Sequence, residues 1–407
     1  MKNLKLIMCA GAASLGMAWA GAALADDQPA PASTPPAAAP AAPAPAPAPY
    51  PSMGPVLANN PAPASFDAGF LGKLTVSGAF SGLLIGTDHP GFDFWDGKTN
   101  KSFQGDFTNG LVTVQKTDGL VQFVIQAGAY SFPTVGSGYI KGSDTPEATF
   151  GFVPVAYVKI VPNAMFSFEA GQLPTLIGAE LPFTYQNANI ERGLLWNAEP
   201  LISRGLQANF TSGPWAASLS VNDGFYSNEF TTISGLVTYT FKNTDTLTVA
   251  GSGNASVNFK TSFSSPFVTP IGQQQGQIYN LIFTHNMGPF VITPYLQYST
   301  VPNDVVTGAS ASEWGFAVIA KYSFTPEFSL AGRAEYETTN GAYNMLFGPK
   351  SNAWSITFTP TYQKGIFFAR AEVSYTSVGS GTPFSMLGPV GLDTNQTRGL
   401  LEAGFIF

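Results

Sequence analysis

The chain has 407 residues, of which 11% are charged, 13% aromatic and 44% hydrophobic, with 43 Gly, 32 Pro and a formal charge of −7. Charge at about half the usual globular share means that something other than water faces much of the surface, and an acidic chain with no basic tract argues against nucleic acid as a partner. Mean hydropathy is only +0.10, and no apolar run of about 18 residues follows residue 25, so membrane-spanning helices are excluded.

Residues 1–25 read as a secretory signal peptide. Lys2 and Lys5 form a basic start, Leu6 to Ala22 a mostly apolar middle, and Ala23-Leu24-Ala25 an A-x-A cleavage site, which predicts cleavage before Asp26. The single cysteine, Cys9, lies inside this segment, so the processed chain is expected to hold neither thiol nor disulfide. The flank Ile7-Met8 lacks the small residues of a lipoprotein signal. Removing the signal leaves 16 basic against 25 acidic residues and a net charge of −9.

Residues 26–65 are dominated by Pro and Ala, with Ala42 to Pro49 in strict alternation. Such a segment cannot bury a core. The expectation is an extended periplasmic tether rising about 3.1 Å per residue where Pro dominates, either inert or in contact with the cell wall or another periplasmic partner.

From residue 66 to 407 the pattern has period two. Val121, Phe123, Ile125, Ala127 and Ala129 share one side of a strand, opposed by Gln122, Gln126 and Gly128. Trp314, Phe316, Val318, Ala320, Tyr322 and Phe324 repeat it, with Lys321 opposite. Phe367, Ala369, Ala371, Val373 and Tyr375 do so again, opposed by Arg370, Glu372 and Ser374. Seven tight turns punctuate these runs, near residues 118, 162, 213, 244, 288, 326 and 364, each rich in Gly, Pro, Asn or Asp. Longer polar, Gly-rich segments separate the resulting hairpins, the first near 86–106 and the last near 378–397. A first strand at 72–85, seven hairpins and a last strand at 398–407 give sixteen strands. The predicted fold is all-β: a transmembrane antiparallel β-barrel with short periplasmic turns, long extracellular loops and a lumen wide enough for water. It must close, because an open edge in hydrocarbon leaves backbone groups unpaired at several kcal/mol each. In the last strand Leu401, Ala403, Phe405 and Phe407 form the side suited to lipid, and Phe407 is the expected assembly signal. The implied location is the outer membrane of a Gram-negative cell, with outer-membrane lipids as partners.

The segment 164–210 carries a more specific pattern. Glu169-Ala170-Gly171-Gln172 closes a strand, Leu176-Ile177-Gly178-Ala179-Glu180 follows, then Asn187-Ala188-Asn189, Arg192-Gly193-Leu194-Leu195, and a return strand from Ser203-Arg204-Gly205-Leu206, with Val221-Asn222-Asp223-Gly224 beyond. Over roughly sixty residues this resembles the OmpL-like outer-membrane β-barrel porin family, also called the second β-barrel porin family. The resemblance implies a pore, with the third outer loop folded inward as a constriction, and by analogy with sixteen-stranded porins a homotrimer. That loop runs at about 174–202, and its length and charge come from this sequence: Glu180, Glu191, Arg192, Glu199 and, at its end, Arg204. Such charges facing each other across a lumen filter solutes by size and charge; alternatively they pair at the rim of an ordinary surface loop. A second set lies on the predicted inward faces: Arg333, Glu335, Glu337, Arg370, Glu372, Arg398 and Glu402. Charge facing lipid near the midplane costs up to about 2–4 kcal/mol, so these side chains are expected to point inward, as a structural Arg–Glu ladder, a lumen lining, or both.

Catalysis is poorly supported. His89 and His285 are the only histidines and are far apart in sequence, no ligand set for zinc is visible, and no phosphate-cradling motif occurs. Asp93, Asp96 and Asp106, and separately Asp223, are weak candidates for a divalent cation. No cofactor is expected. The sequence thus reads as a water-filled channel for passive diffusion of small hydrophilic solutes and ions, weakly cation-preferring on its acid excess. The alternative is a structural anchor or adhesin barrel without transport.

Overall fold

The computed structural model describes residues 56–256, 276–301, 310–341 and 347–407. The expected signal peptide, Cys9 and residues 26–55 of the expected tether lie outside the described residues. Sixteen strands form the wall: β1 Lys73–Thr87, β2 Phe103–Lys116, β3 Val121–Tyr130, β4 Val155–Ile160, β5 Phe166–Pro174, β6 Ile202–Ser212, β7 Trp215–Asn222, β8 Thr232–Thr240, β9 Thr246–Asn254, β10 Gln277–Met287, β11 Phe290–Val301, β12 Ala311–Ser323, β13 Phe328–Gly341, β14 Asn352–Lys364, β15 Phe367–Ser380 and β16 Asn395–Ile406. Each pairs antiparallel with the next, and β16 pairs with β1 through Phe405↔Phe80 and Arg398↔Thr87, closing the ring. Closure removes the sheet edge that a membrane would not tolerate.

Seven connections of two to five residues lie on one rim, and each coincides with a turn read from the sequence. Gly119, Gly213, Gly288 and Gly365 supply the positive φ that these turns require. The other rim carries the long connections, including 88–102, 131–154, 175–201 and 381–394. The strand limits differ slightly from expectation, with β1 reaching Thr87 and β16 starting at Asn395.

Alternation sorts the side chains. Outward positions are apolar and exposed, Leu219, Val249, Phe316, Val373 and Leu401 among them. Aromatic pairs sit towards both ends of this flank: Trp215–Tyr239 (ring centroids 4.7 Å) and Tyr322–Phe324 (4.8 Å) near the short turns, Tyr298–Trp314 (4.6 Å) and Trp354–Tyr375 (5.3 Å) near the long loops. Rings at those depths suit the two membrane–water interfaces. Inward positions are mostly polar or small, as the alternation predicted, while large apolar ones such as Leu236, Ile282, Ile319 and Phe368 meet the inner loop or the N-terminal leg.

The part of the expected tether that is described, 56–65, is not a spacer, which moves the N-terminal limit of the barrel unit back from residue 66. Leu57 is 1% exposed and packs with the inward-facing Ala79, Phe368 and Ile406, with Tyr185 of the 175–201 loop against them. Ala58 exchanges two hydrogen bonds with the Gln363 amide, at 2.8 and 2.9 Å. The strand Ala64–Asp67 then pairs with the first residues of β1. This leg carries apolar side chains into the short-turn mouth of the ring, where burial of one Leu is worth about 1.5–3 kcal/mol. Pro/Ala composition masked it.

Candidate functional site: a loop pinned inside the ring

The 27 residues between β5 and β6, 175–201, cannot continue either strand. Pro182 and Pro200 lack the N–H a ladder needs, and Gly178 adopts φ +88°. The chain instead forms two short 3₁₀ turns, Thr184–Gln186 and Leu195–Ala198. Asn187 braces the first of them: its Oδ1 accepts from Leu181 N at 2.7 Å, and its Nδ2 donates to the carbonyls of Leu181 (2.7 Å) and Phe183 (2.9 Å).

Inward-facing charges of the wall hold this loop. Arg333 of β13 donates through Nη1 to Glu180 Oε1 and to the Glu191 carbonyl, both at 2.7 Å, and through Nε to Glu335 Oε2 at 3.0 Å. Glu180 Oε2 accepts from Gly193 N at 2.8 Å, and Glu335 Oε2 from Leu194 N at 3.1 Å. Glu372 of β15 accepts two successive loop amides, Ile190 N at 2.5 Å and Glu191 N at 2.8 Å. Arg398 of β16 binds Glu191 Oε1 at 2.8 Å, while Ser374 donates to Glu191 Oε2 at 2.5 Å. Arg370 pairs with Glu402 on the neighbouring strand and also donates to the loop carbonyls of Asn187 (3.1 Å) and Thr184 (3.0 Å). Glu402 Oε1 collects the hydroxyls of Thr108 (2.6 Å), Thr184 (2.7 Å) and Ser81 (2.9 Å). Every carboxylate and guanidinium named here is nearly or fully buried. A charge so removed from solvent persists only with partners, and deleting one partner costs about 3–5 kcal/mol.

Two glycines permit the close approach. A Cβ at Gly193 would lie 1.9 Å from Glu335 Oε1, and one at Gly178 would lie 1.8 Å from Glu199 Oε2. Apolar contacts complete the seat. Leu194 and Leu195 pack with Ile282, Tyr295, Ala317, Ile319 and Ala331 of the wall, while Ile177 and Ala198 pack with Leu236, Ala250 and Ile278.

Two loop charges differ from the rest. Arg192 is fully buried and makes no salt bridge among the described residues; its Nη2 donates to the Pro133 carbonyl at 3.2 Å and its guanidinium lies 5.9 Å from the Trp196 ring centre. Burial pulls its pKa down to about 10, which leaves it charged at neutral pH. Glu199 is buried against Tyr295, whose hydroxyl donates to Oε1, and burial pushes this carboxyl well above the usual range.

Most of the predicted site residues therefore meet: Glu180, Glu191, Arg192 and Glu199 on the loop, with Arg333, Glu335, Arg370, Glu372, Arg398 and Glu402 on the wall. Arg204 does not join them. It sits at the start of β6, bound to Asp223 Oδ2 at 2.7 Å with its guanidinium 3.8 Å from the Tyr226 ring centre, so it belongs to the rim. That pairing also occupies Asp223, a weak cation candidate. Asp106 is engaged likewise, by the Tyr139 hydroxyl (2.8 Å) and Gly142 N (2.7 Å). Glu337 faces inward without a salt bridge among the described residues, near Glu313 in the neighbouring strand. Glu313 was legible from its alternation with Lys321 and was missed. Also missed was the second long loop, whose Pro133, Thr134 and Ser137 carbonyls accept from Arg192 and Arg398. A carbonyl leaves no mark in a sequence.

A closed ring with an apolar outer flank, polar inner positions and a long charged loop folded within it is the build of an outer-membrane porin. The sequence matches the family described as "Putative beta-barrel porin-2, OmpL-like" over residues 73–407, and the chain belongs to that family. No curated protein matches the sequence. Among solved structures the chain is similar to an anion-selective porin from Comamonas acidovorans (TM-score 0.55, 12% identity, 82% of this chain and 99% of that one). It is also similar to the trimer form of OmpT, an outer-membrane protein of Vibrio cholerae (0.55, 10%, 82% and 99%), and to the channel DcaP of Acinetobacter baumannii (0.52, 10%, 82% and 97%). At such identities the likeness establishes the barrel fold alone, and the outer-membrane setting follows from the family.

Proposed function

We propose that this porin is a passive diffusion channel for small hydrophilic solutes and ions, with 175–201 as its constriction loop and a weak preference for cations. The observation that carries this reading is the pinning of that loop to the inner wall. Glu180, Glu191, Arg333, Glu372 and Arg398 fix its position, so the bore is set by a rigid element. Inward positions on β6 to β9 carry mainly Ser, Thr, Asn and Gln, so that part of the wall adds no charge to the path. No nucleophile–base pair or cofactor site enters this reading: the protein is a conduit, not an enzyme. The short-turn rim and the N-terminal segment face the periplasm, the long loops face outward, and the assembly is a homotrimer, a reading supported by the trimer form of the Vibrio cholerae protein.

Planar-bilayer recording of the purified protein tests this. Stepwise conductance is expected, and under a KCl gradient a reversal potential displaced modestly towards potassium. A barrel silent at all voltages would refute the channel, while a displacement towards chloride would refute the ion preference alone.

A further inference from the structure

Outside the loop-and-wall network lies a second feature, a recess of about 400 Å³ at the long-loop rim. Six different connections supply its walls, among them Phe94 before β2, Phe132 and Phe150 before β4, Trp196 of the inner loop and Phe225 after β7. Seven of the lining side chains are aromatic, none is Lys, Arg or His, and Glu199 is the one acid or base among them. Glu199 is 4% exposed, and its Oε2 has no hydrogen-bond partner. Trp196 Nε1, in a side chain 7% exposed, is a donor without an acceptor.

We propose that this recess binds organic cations with a compact aromatic or alkyl body, quaternary ammonium ions and protonated amines, as they enter the barrel. The proposal rests on the channel reading and names a solute class for it. Aromatic faces carry negative potential and attract a cation by about 0.5–2 kcal/mol each, while their area shelters its carbon body. A volume of this size holds one small molecule. Charge around it agrees. The three loops 88–102, 131–154 and 381–394 carry Asp88, Asp93, Asp96, Asp144, Glu147 and Asp393 against Lys98, Lys101 and Lys141, which enriches cations at the mouth. The two guanidinium groups beneath do not offer an anion site. Arg398 is paired with Glu191 at 2.8 Å, and Arg192, fully buried and bonded to the Pro133 carbonyl, is not among the lining side chains. The unpartnered indole N–H fits an ether, ester or hydroxyl oxygen on the far end of the solute.

The test adds phenyltrimethylammonium to the long-loop side of single channels of the full chain, with benzoate at equal concentration as the opposite-charge control. The cation is expected to interrupt the current at concentrations at least about tenfold below benzoate. Phe94→Ala, an exposed ring outside the inner loop, should raise the half-blocking concentration severalfold with KCl conductance unchanged. Phe92→Leu, which keeps the bulk but removes the ring partner of Phe94, should raise it about twofold. Quenching of tryptophan fluorescence by the same cation in detergent reads binding without conductance. Saturable quenching in a silent barrel would uphold the recess and overturn the channel. Benzoate blocking as well as the cation, or both variants leaving blockade and quenching unaltered, would overturn the recess while conductance stands.

Discussion

On β12 to β16 the inward positions include Glu313, Arg333, Glu335, Glu337, Arg370, Glu372, Arg398 and Glu402; on β6 to β9 they include Gln207, Asn209, Ser218, Ser220, Ser234, Thr238, Thr248 and Ser252. Both sets are buried, yet they are satisfied differently. Short side chains on the neutral part bond across adjacent strands, Ser218 to Asn209 at 2.7 Å, Thr238 to Thr248 at 2.8 Å and Ser234 to Ser252 at 2.9 Å. Long charged ones on the other part reach past their neighbours to a loop far away in sequence. The difference teaches that charge inside a barrel need not line the water path. Here most of it holds a loop, and the neutral part is tied together across its own strands.

Arg333→Ala attacks the charged part hardest. It strands Glu180 and Glu335 together, so a loss of about 3–5 kcal/mol is expected, seen as a lower unfolding temperature in detergent, with larger and noisier conductance as the loop loosens. An unchanged melting curve would mean the two parts do not differ as described. Glu372→Gln is gentler: one of the two loop amides keeps an acceptor and the other loses a charge-assisted bond, for about 1.5–3 kcal/mol. Asn209→Ala probes the neutral part, where loss of neutral hydrogen bonds should cost about 1 kcal/mol and leave conductance noise at the unaltered level.

The smallest effect lies at the short-turn rim, outside both parts. Asp245 accepts from the Asn286 backbone N–H at 2.8 Å and faces His285 Nδ1 at 2.6 Å. Burial works against the charged carboxyl, but the Asn286 bond, the largest influence, together with those from His285 and Asn243, holds it below the usual carboxylate range. A carboxyl lowered in this way stabilises the folded state above its ordinary pKa, and that contribution fades as pH falls through the lowered value. Amide exchange in the 241–245 turn should therefore quicken below about pH 4, and Asp245→Asn should abolish the dependence.

Much of the ring was legible because its determinants are local. Gly119, Gly213, Gly288 and Gly365 mark turns by the φ they permit, and alternation assigns Arg333, Glu335 and Glu337 to one side whatever lies opposite. The site was half legible. Loop length and charge picked out Glu180, Glu191, Arg192 and Glu199, but the bond from Arg333 to Glu180 spans 153 residues of sequence, and nothing local encodes it. Arg204 misled for the same reason: it follows the loop in sequence, yet Asp223, reached through the β6–β7 hairpin, captures it. The N-terminal leg was hidden by composition, since Pro-rich surroundings outweighed the two apolar residues Val56 and Leu57.

That leg has an electrical consequence. Leu57 sits against Phe368 and Ile406 at the short-turn mouth, while the inner loop lies within the ring, so on the channel reading a solute passes both in turn. Resistances in series add, and the larger governs the total. Widening the inner passage alone raises the current only until the mouth becomes the greater impedance.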